Sequence, residues 1–194
     1  MPYRLLILLA VGATAAGCGP TEDVNTYKVP KPVEVPQDEA AGEYQILGAM
    51  FPDAEPKWFF KFAGKASELA PYAADFEKTM ASVRFPNGLK NQPVWDSPPG
   101  WETLPGRNDI TIGVIKPDAK KPNLEVTLSV SGGGAVGNLT RWAVQQLGNE
   151  KFTPASIPKA TRPIAADKVT GTFVDLRGPK LNIGGPMMMG KPRS

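Results

Sequence analysis

The chain of 194 residues contains no histidine and a single cysteine, Cys18. Imidazole is the usual general base near neutral pH and the commonest metal ligand, so its absence removes the most frequent routes to hydrolysis and to zinc or copper binding. One cysteine cannot close an internal disulfide. Apolar runs are scarce as well: the stretch from Leu5 to Val11 is too short to span a bilayer as a helix. Carboxylates are left as the only acid–base pairs. Asp75 with Glu77 and Asp53 with Glu55 are close in sequence, but they sit in polar surroundings, where acidity is weakly perturbed. No catalytic residue, metal or cofactor is expected from this composition.

What is present at the start of the chain is ordered like an export signal. Arg4 precedes the Leu5–Val11 run, and the small residues Ala13 to Gly17 lead directly to Cys18. Ala15-Ala-Gly-Cys18 resembles the bacterial lipobox, with alanine where that pattern prefers leucine. The resemblance implies cleavage before Cys18 and acylation of its sulfur. Each buried acyl methylene contributes about 0.8 kcal/mol, so two or three chains make a durable membrane anchor. Gly19 follows the cysteine in place of the aspartate that resembles an inner-membrane retention signal, which favours the outer membrane. The expected location is therefore a bacterial cell envelope, lipid-anchored on the periplasmic side.

Loss of residues 1–17 leaves 177, enough for one domain. The formal charge of +3 includes Arg4, and the remaining Lys and Arg residues are dispersed, so nucleic acid is not an expected partner. Residues 18–42 hold Pro20, Pro30, Pro32 and Pro36 among polar residues and read as an extended linker. Such PxxP-type segments are also bound as ligands elsewhere. Residues 179–194 read as a disordered Gly/Met/Pro tail. Met187-Met-Met189 offers soft thioethers suited to Cu(I), but adjacent positions in a glycine-rich stretch lack a fixed geometry.

Between these ends, residues 43–178 predict a single α+β domain, an antiparallel sheet with helices packed against it. Tyr44 to Phe51 is short and apolar, and Lys57 to Ala63 alternates as a strand that Gly64 ends. Ser67 as N-cap, followed by Leu69, Tyr72, Ala73, Phe76, Met80 and Val83 at steps of three and four, predicts an amphipathic helix with a core-facing stripe. Asp109–Ile115 and Leu124–Val130 alternate and predict an antiparallel pair. The Pro/Gly-rich connection 86–106, carrying Trp95 and Trp101, has two readings: lids over the core, or a binding surface.

Gly132-Gly-Gly-Ala-Val-Gly137 spells GxGxxG between a predicted strand and a predicted helix. Too little chain follows for a doubly wound sheet, and the strands before it alternate as antiparallel ones do, so dinucleotide binding is set aside. The helix predicted over 138–147 takes Asn138 as cap, Leu139, Trp142, Ala143 and Leu147 as its buried stripe, and Gly148 as its stop. Asn138-Leu-Thr140 also matches an N-glycosylation acceptor, which has no meaning in a bacterial protein. Residues 153–168 read as an irregular crossing and 168–176 as a last strand.

Trp58-Phe-Phe-Lys-Phe-Ala-Gly64, Ser82-Val-Arg-Phe85 and Pro98-Pro-Gly-Trp101 resemble predicted envelope lipoproteins of planctomycete-type bacteria, a group of uncharacterised function. Asn138-Leu-Thr-Arg-Trp142 and Val174-Asp-Leu176 are similar to later blocks of that group. More distantly, the Ser82–Phe85 junction and the following Gly-Trp look like the Mog1/PsbP α/β/α sandwich, which implies a binding or accessory module. Without a catalytic set, the expected role is attachment to another envelope component through a surface containing Trp95, Trp101, Arg141 and Trp142. Small-ligand binding in a formed cavity and a carboxylate-dependent hydrolase are the alternatives.

Overall fold

The structure, a computed structural model, describes residues 42–183. Seven strands build one sheet: β1 (Tyr44–Phe51), β2 (Trp58–Lys65), β3 (Glu102–Pro105), β4 (Thr111–Lys116), β5 (Val126–Val130), β6 (Thr161–Ala166) and β7 (Val169–Gly178). Their order is β3-β4-β5-β2-β1-β7-β6, and every pairing is antiparallel. The α+β expectation holds, including the β4–β5 pair read from the two alternating segments.

Helices lie on both faces, and this explains why β1 and β2 are buried almost throughout. Successive strand residues point to opposite faces. On the first face Leu47, Ala49, Phe51, Phe60, Phe62, Val126, Leu128 and Phe173 pack with Leu69, Phe76 and Met80 of the helical segment after β2. On the second face Ile46, Met50, Phe59, Val174 and Leu176 pack with Leu139, Trp142, Ala143 and Leu147. A sheet covered twice needs apolar residues in both phases of each central strand.

The first-face helix differs from the expectation at its start. β2 runs through Gly64 to Lys65, and α1 (Ala66–Leu69) follows with Lys65, not Ser67, at its cap position. Pro71 has no N–H to continue the α-helical ladder, so Ala70–Tyr72 forms a 3-10 turn before α2 (Ala73–Ala81) resumes. Buried Thr79 is satisfied by donating from Oγ1 to the Asp75 carbonyl, 2.8 Å.

The second-face helix also starts earlier than expected. α3 (Gly134–Thr140) places Asn138 inside the helix, buried, where Nδ2 donates to the carbonyls of Gly132 and Gly134 at 3.0 and 2.8 Å. Asn138 is thus the brace of the glycine loop and not a cap. The helix then widens into a π turn, Arg141–Gln146, in which the Leu147 amide donates to the Trp142 carbonyl at 2.9 Å. Gly148, at φ 66, ends it as expected. Residues 180–182, placed by the sequence reading in the tail, run beside this turn. The Lys180 and Asn182 amides donate to the Leu147 and Gln146 carbonyls, and Leu181 packs on the second-face core.

Two strands occupy stretches read as irregular. β3 falls inside the 86–106 connection, and β6, preceded by α4 (Ile157–Ala160), falls inside 153–168. Each contains a proline, and each lies at a sheet edge, where one side of the backbone needs no ladder partner.

Gly48 is where Trp142 meets the sheet: a Cβ there would lie 2.9 Å from Cζ3 of the indole. Gly48→Ala is therefore expected to destabilise the fold by about 1–3 kcal/mol through overpacking, read as a lowered denaturation midpoint at unchanged slope.

Candidate functional site

The four residues expected to share a surface do not. Trp95 is half-buried on the first-face core, edge-on to Phe60 with centroids 5.4 Å apart, and Trp101 is edge-on to Tyr72 at 6.4 Å. Both act as lids on that core. Trp142 belongs to the opposite face, is 3% exposed, and stands edge-on to Phe59 at 6.2 Å. Only Arg141 is exposed, and its guanidinium donates to Asn138 Oδ1 at 2.6 Å. The loop carrying Trp95 is itself fixed. Arg84 pairs bidentately with Asp96, both bonds 2.8 Å, and the Trp58 indole donates to the Leu89 carbonyl at 2.8 Å. The Arg84 hydrogen bond holds the Asp96 carboxyl below its ordinary pKa.

The other sequence candidates separate similarly. Cys18, the linker over 18–41 and Met187–Met189 lie outside the described residues. The GxGxxG loop connects β5 to α3, and β5 is antiparallel to both of its neighbours, which is not the parallel βαβ setting of a dinucleotide fingerprint. Asp53 and Glu55 are exposed. Asp75 and Glu77 go to different partners, Lys78 at 3.5 Å and Arg162 at 2.6 Å.

The structure brings together a set that the sequence reading did not single out. A groove of about 800 Å³ opens between the α1–α2 segment and the β1-β7-β6 side of the sheet. Its helical wall is small: Ala66, Ser67, Ala70, Ala73 and Ala74. Its floor starts apolar, with Leu47 and Phe173, and turns polar toward the start of β1, where Asp175 of β7 pairs with Leu47 and Arg177 pairs with Gln45 on the same face. Buried Gln45 donates from Nε2 to Asp175 Oδ1 at 2.7 Å. Lys159, Arg162 and Arg177 supply positive charge against Glu77 and Asp175.

These groups hold one another in place. Arg162 lies over the Phe173 ring, 4.2 Å from its centroid, and reaches across to Glu77 of α2 at 2.6 Å. Arg177 Nε is 3.8 Å from Asp175 Oδ1. Each pair is roughly half exposed, so each contributes at most about 1 kcal/mol to stability, and more to orientation than to folding. One sequence signal was available. In a sheet covered on both faces, Asp175 and Arg177 alternate with buried Val174 and Leu176, and they face α1–α2 where apolar residues would otherwise stand.

Chemically, the groove can desolvate an apolar body against alanine, leucine and phenylalanine while arginine and lysine meet anionic groups at its margin. Among the described residues, no group of three or more Asp, Glu, His or Cys is placed to hold a metal ion, and no helix is long and apolar enough to cross a membrane. Comparison with known protein families, with curated proteins and with solved structures finds no match to the chain.

Proposed function

We propose that the chain is a non-catalytic binding module of a bacterial envelope, tethered by lipid at Cys18, and that it receives its ligand in the groove beside α1–α2. The groove carries the reading. Its volume of about 800 Å³ lies within the range that small-molecule sites occupy, roughly 300–1,000 Å³. Three cations against two carboxylates favour an anionic ligand, and the alanine wall leaves room for an apolar portion. The carboxylates Glu77 and Asp175 are engaged by arginines, an arrangement suited to holding a ligand rather than to moving protons. The ligand is then a small amphiphilic anion, or a short anionic segment of another envelope component. The likeness of the aromatic and Gly-Trp segments to planctomycete-type envelope lipoproteins supports the same location. A helix–sheet–helix layering is also what Mog1/PsbP kinship would require, and that kinship remains part of the proposal.

Two measurements test the two halves separately. Native protein extracted from membranes should have an intact mass starting at Cys18 with added acyl chains. A species that begins at Met1, or one cleaved elsewhere without acyl mass, removes the tether. For the groove, Ala74 is exposed on its helical wall, so Ala74→Trp fills the space without touching the core. Small molecules released by denaturing the native protein are expected to include an anion that the Ala74→Trp variant does not retain, at unchanged stability. Equal retention by both forms would exclude the groove as the site.

A further inference from the structure

The groove contains a hydrogen-bond acceptor that no described residue uses. Gln45 is 5% exposed, and its Nε2 donates to Asp175 Oδ1 at 2.7 Å. A carboxylate only accepts, so this bond fixes which way the amide points and leaves Oε1 at its other end. Oε1 has no hydrogen-bond partner among the described residues, yet none of their fully buried side-chain polar atoms goes unpaired. Oε1 therefore reaches open space, and the open space that Gln45 lines is the groove.

Along the groove the side chains follow an order. Phe173, Asp175 and Arg177 are alternate residues of β7, so they stand on one face about 7 Å apart: apolar, then acceptor, then cation. Across the ladder Leu47 is opposite Asp175, and Gln45 is opposite Arg177. Arg177 Nε lies 3.8 Å from Asp175 Oδ1, too long for a hydrogen bond, so the guanidinium keeps its donors for a ligand. Arg162 is already engaged by Glu77 at 2.6 Å. On the reading of the groove as the ligand site, we propose that its occupant is an N-acylated amino acid, with a hydrocarbon acyl chain over Leu47 and Phe173, an amide N–H donating to Gln45 Oε1, and a carboxylate held by Arg177.

Other anions fit less well. A simple fatty acid has no N–H, so it would cover Oε1 without pairing it, which weakens binding by about tenfold or more. A peptide C-terminus carries the same N–H and carboxylate, but its further amides would lie over a face where β1, β7 and β6 already pair with one another. A hydrocarbon needs no such partners. Asp175 sets the direction, because its charge repels a carboxylate placed one step deeper than Arg177.

The test is isothermal titration calorimetry of the purified chain with N-octanoylglycine, with its ester isostere octanoyloxyacetate, and with N-acetyl-trialanine. N-octanoylglycine is expected to bind at least about tenfold more tightly than the ester, which differs only in having oxygen in place of the N–H. Gln45→Met should bring that ratio close to one in a protein with wild-type circular dichroism, whereas Arg177→Met should weaken both probes alike and preserve it. Should Gln45→Met not fold, the ratios in wild type and in Arg177→Met decide. Equal affinity for amide and ester in the wild-type chain, or an unchanged ratio in folded Gln45→Met, overturns the pairing with Gln45; if Ala74→Trp still abolishes binding of both, the groove stands as a site for other anions. N-acetyl-trialanine binding as tightly as N-octanoylglycine overturns the hydrocarbon chain in favour of a peptide terminus. No binding of N-octanoylglycine overturns the ligand class, while the groove itself is judged by the anion released from native protein.

Discussion

Phe60→Ala is expected to lower the unfolding free energy by about 3–5 kcal/mol, the usual cost of truncating a fully buried phenylalanine. Phe60 is 0% exposed in the central strand β2 and is edge-on to both Phe51 and Trp95, with centroids 6.1 and 5.4 Å away. Its removal takes away the surface on which the 86–101 connection rests. A domain of this size has about 5–15 kcal/mol in total, so the variant should be partly unfolded at temperatures where the parent is folded. Trp95→Ala, at a half-buried lid, should cost less. Urea denaturation followed by tryptophan fluorescence gives both values. A loss below about 1 kcal/mol at Phe60 would mean that the lid, and not the strand, organises this face.

Lys61→Met is expected to stabilise the protein at pH 7, by up to about 3 kcal/mol. The folded-state pKa of Lys61 is about 8, against 10.5 for an unperturbed lysine, with burial as the main cause and Arg141 second. Below pH 8 both folded and unfolded chains carry the charge, and the folded chain bears the full cost of burying it, at about 1.36 kcal/mol per pKa unit. Between pH 8 and 10.5 the unfolded chain binds more protons than the folded one, so wild-type stability rises with pH. The advantage of methionine should shrink across that window and vanish above it. Denaturation midpoints of the two proteins between pH 7 and 11 measure the effect. Curves that stay parallel would show that Lys61 titrates as an ordinary surface amine.

The fold was legible where the physics is local. β1, β2, the β4–β5 hairpin and the Leu69–Phe76–Met80 stripe follow from alternation and from steps of three and four, and the structure places them within a few residues of expectation. The misses have identifiable causes. β3 and β6 are short and contain proline, which weighs against a strand when only the sequence is read; their position at the sheet edges is a tertiary fact. Asn138 has the chemistry of a cap, but φ 87 at Gly133 starts the helix earlier and turns the amide inward. Trp142 shares no surface with Trp95, because the two tryptophans pack on opposite faces and the sheet lies between them.

The groove was harder to see for a different reason. Its residues come from four separated segments, around 45–47, 66–77, 159–162 and 173–177. None forms a motif. What marks the site is missing bulk on Ala66, Ala70, Ala73 and Ala74, combined with polar rungs at Gln45 and Asp175, and the combination has meaning only once the register Gln45↔Arg177 and Leu47↔Asp175 is known.

The prolines at the two margins of the sheet carry a consequence for life among neighbours. Pro105 in β3 and Pro163 in β6 each delete an amide from a border strand, and Arg162 adds a charge beside one of them. An incoming strand from another copy would find an interrupted row of donors at either border, so sheet growth from molecule to molecule is discouraged. Copies that meet at high concentration would collide in part edge to edge, and this border chemistry lets them do so without fusing into a continuous β-ribbon.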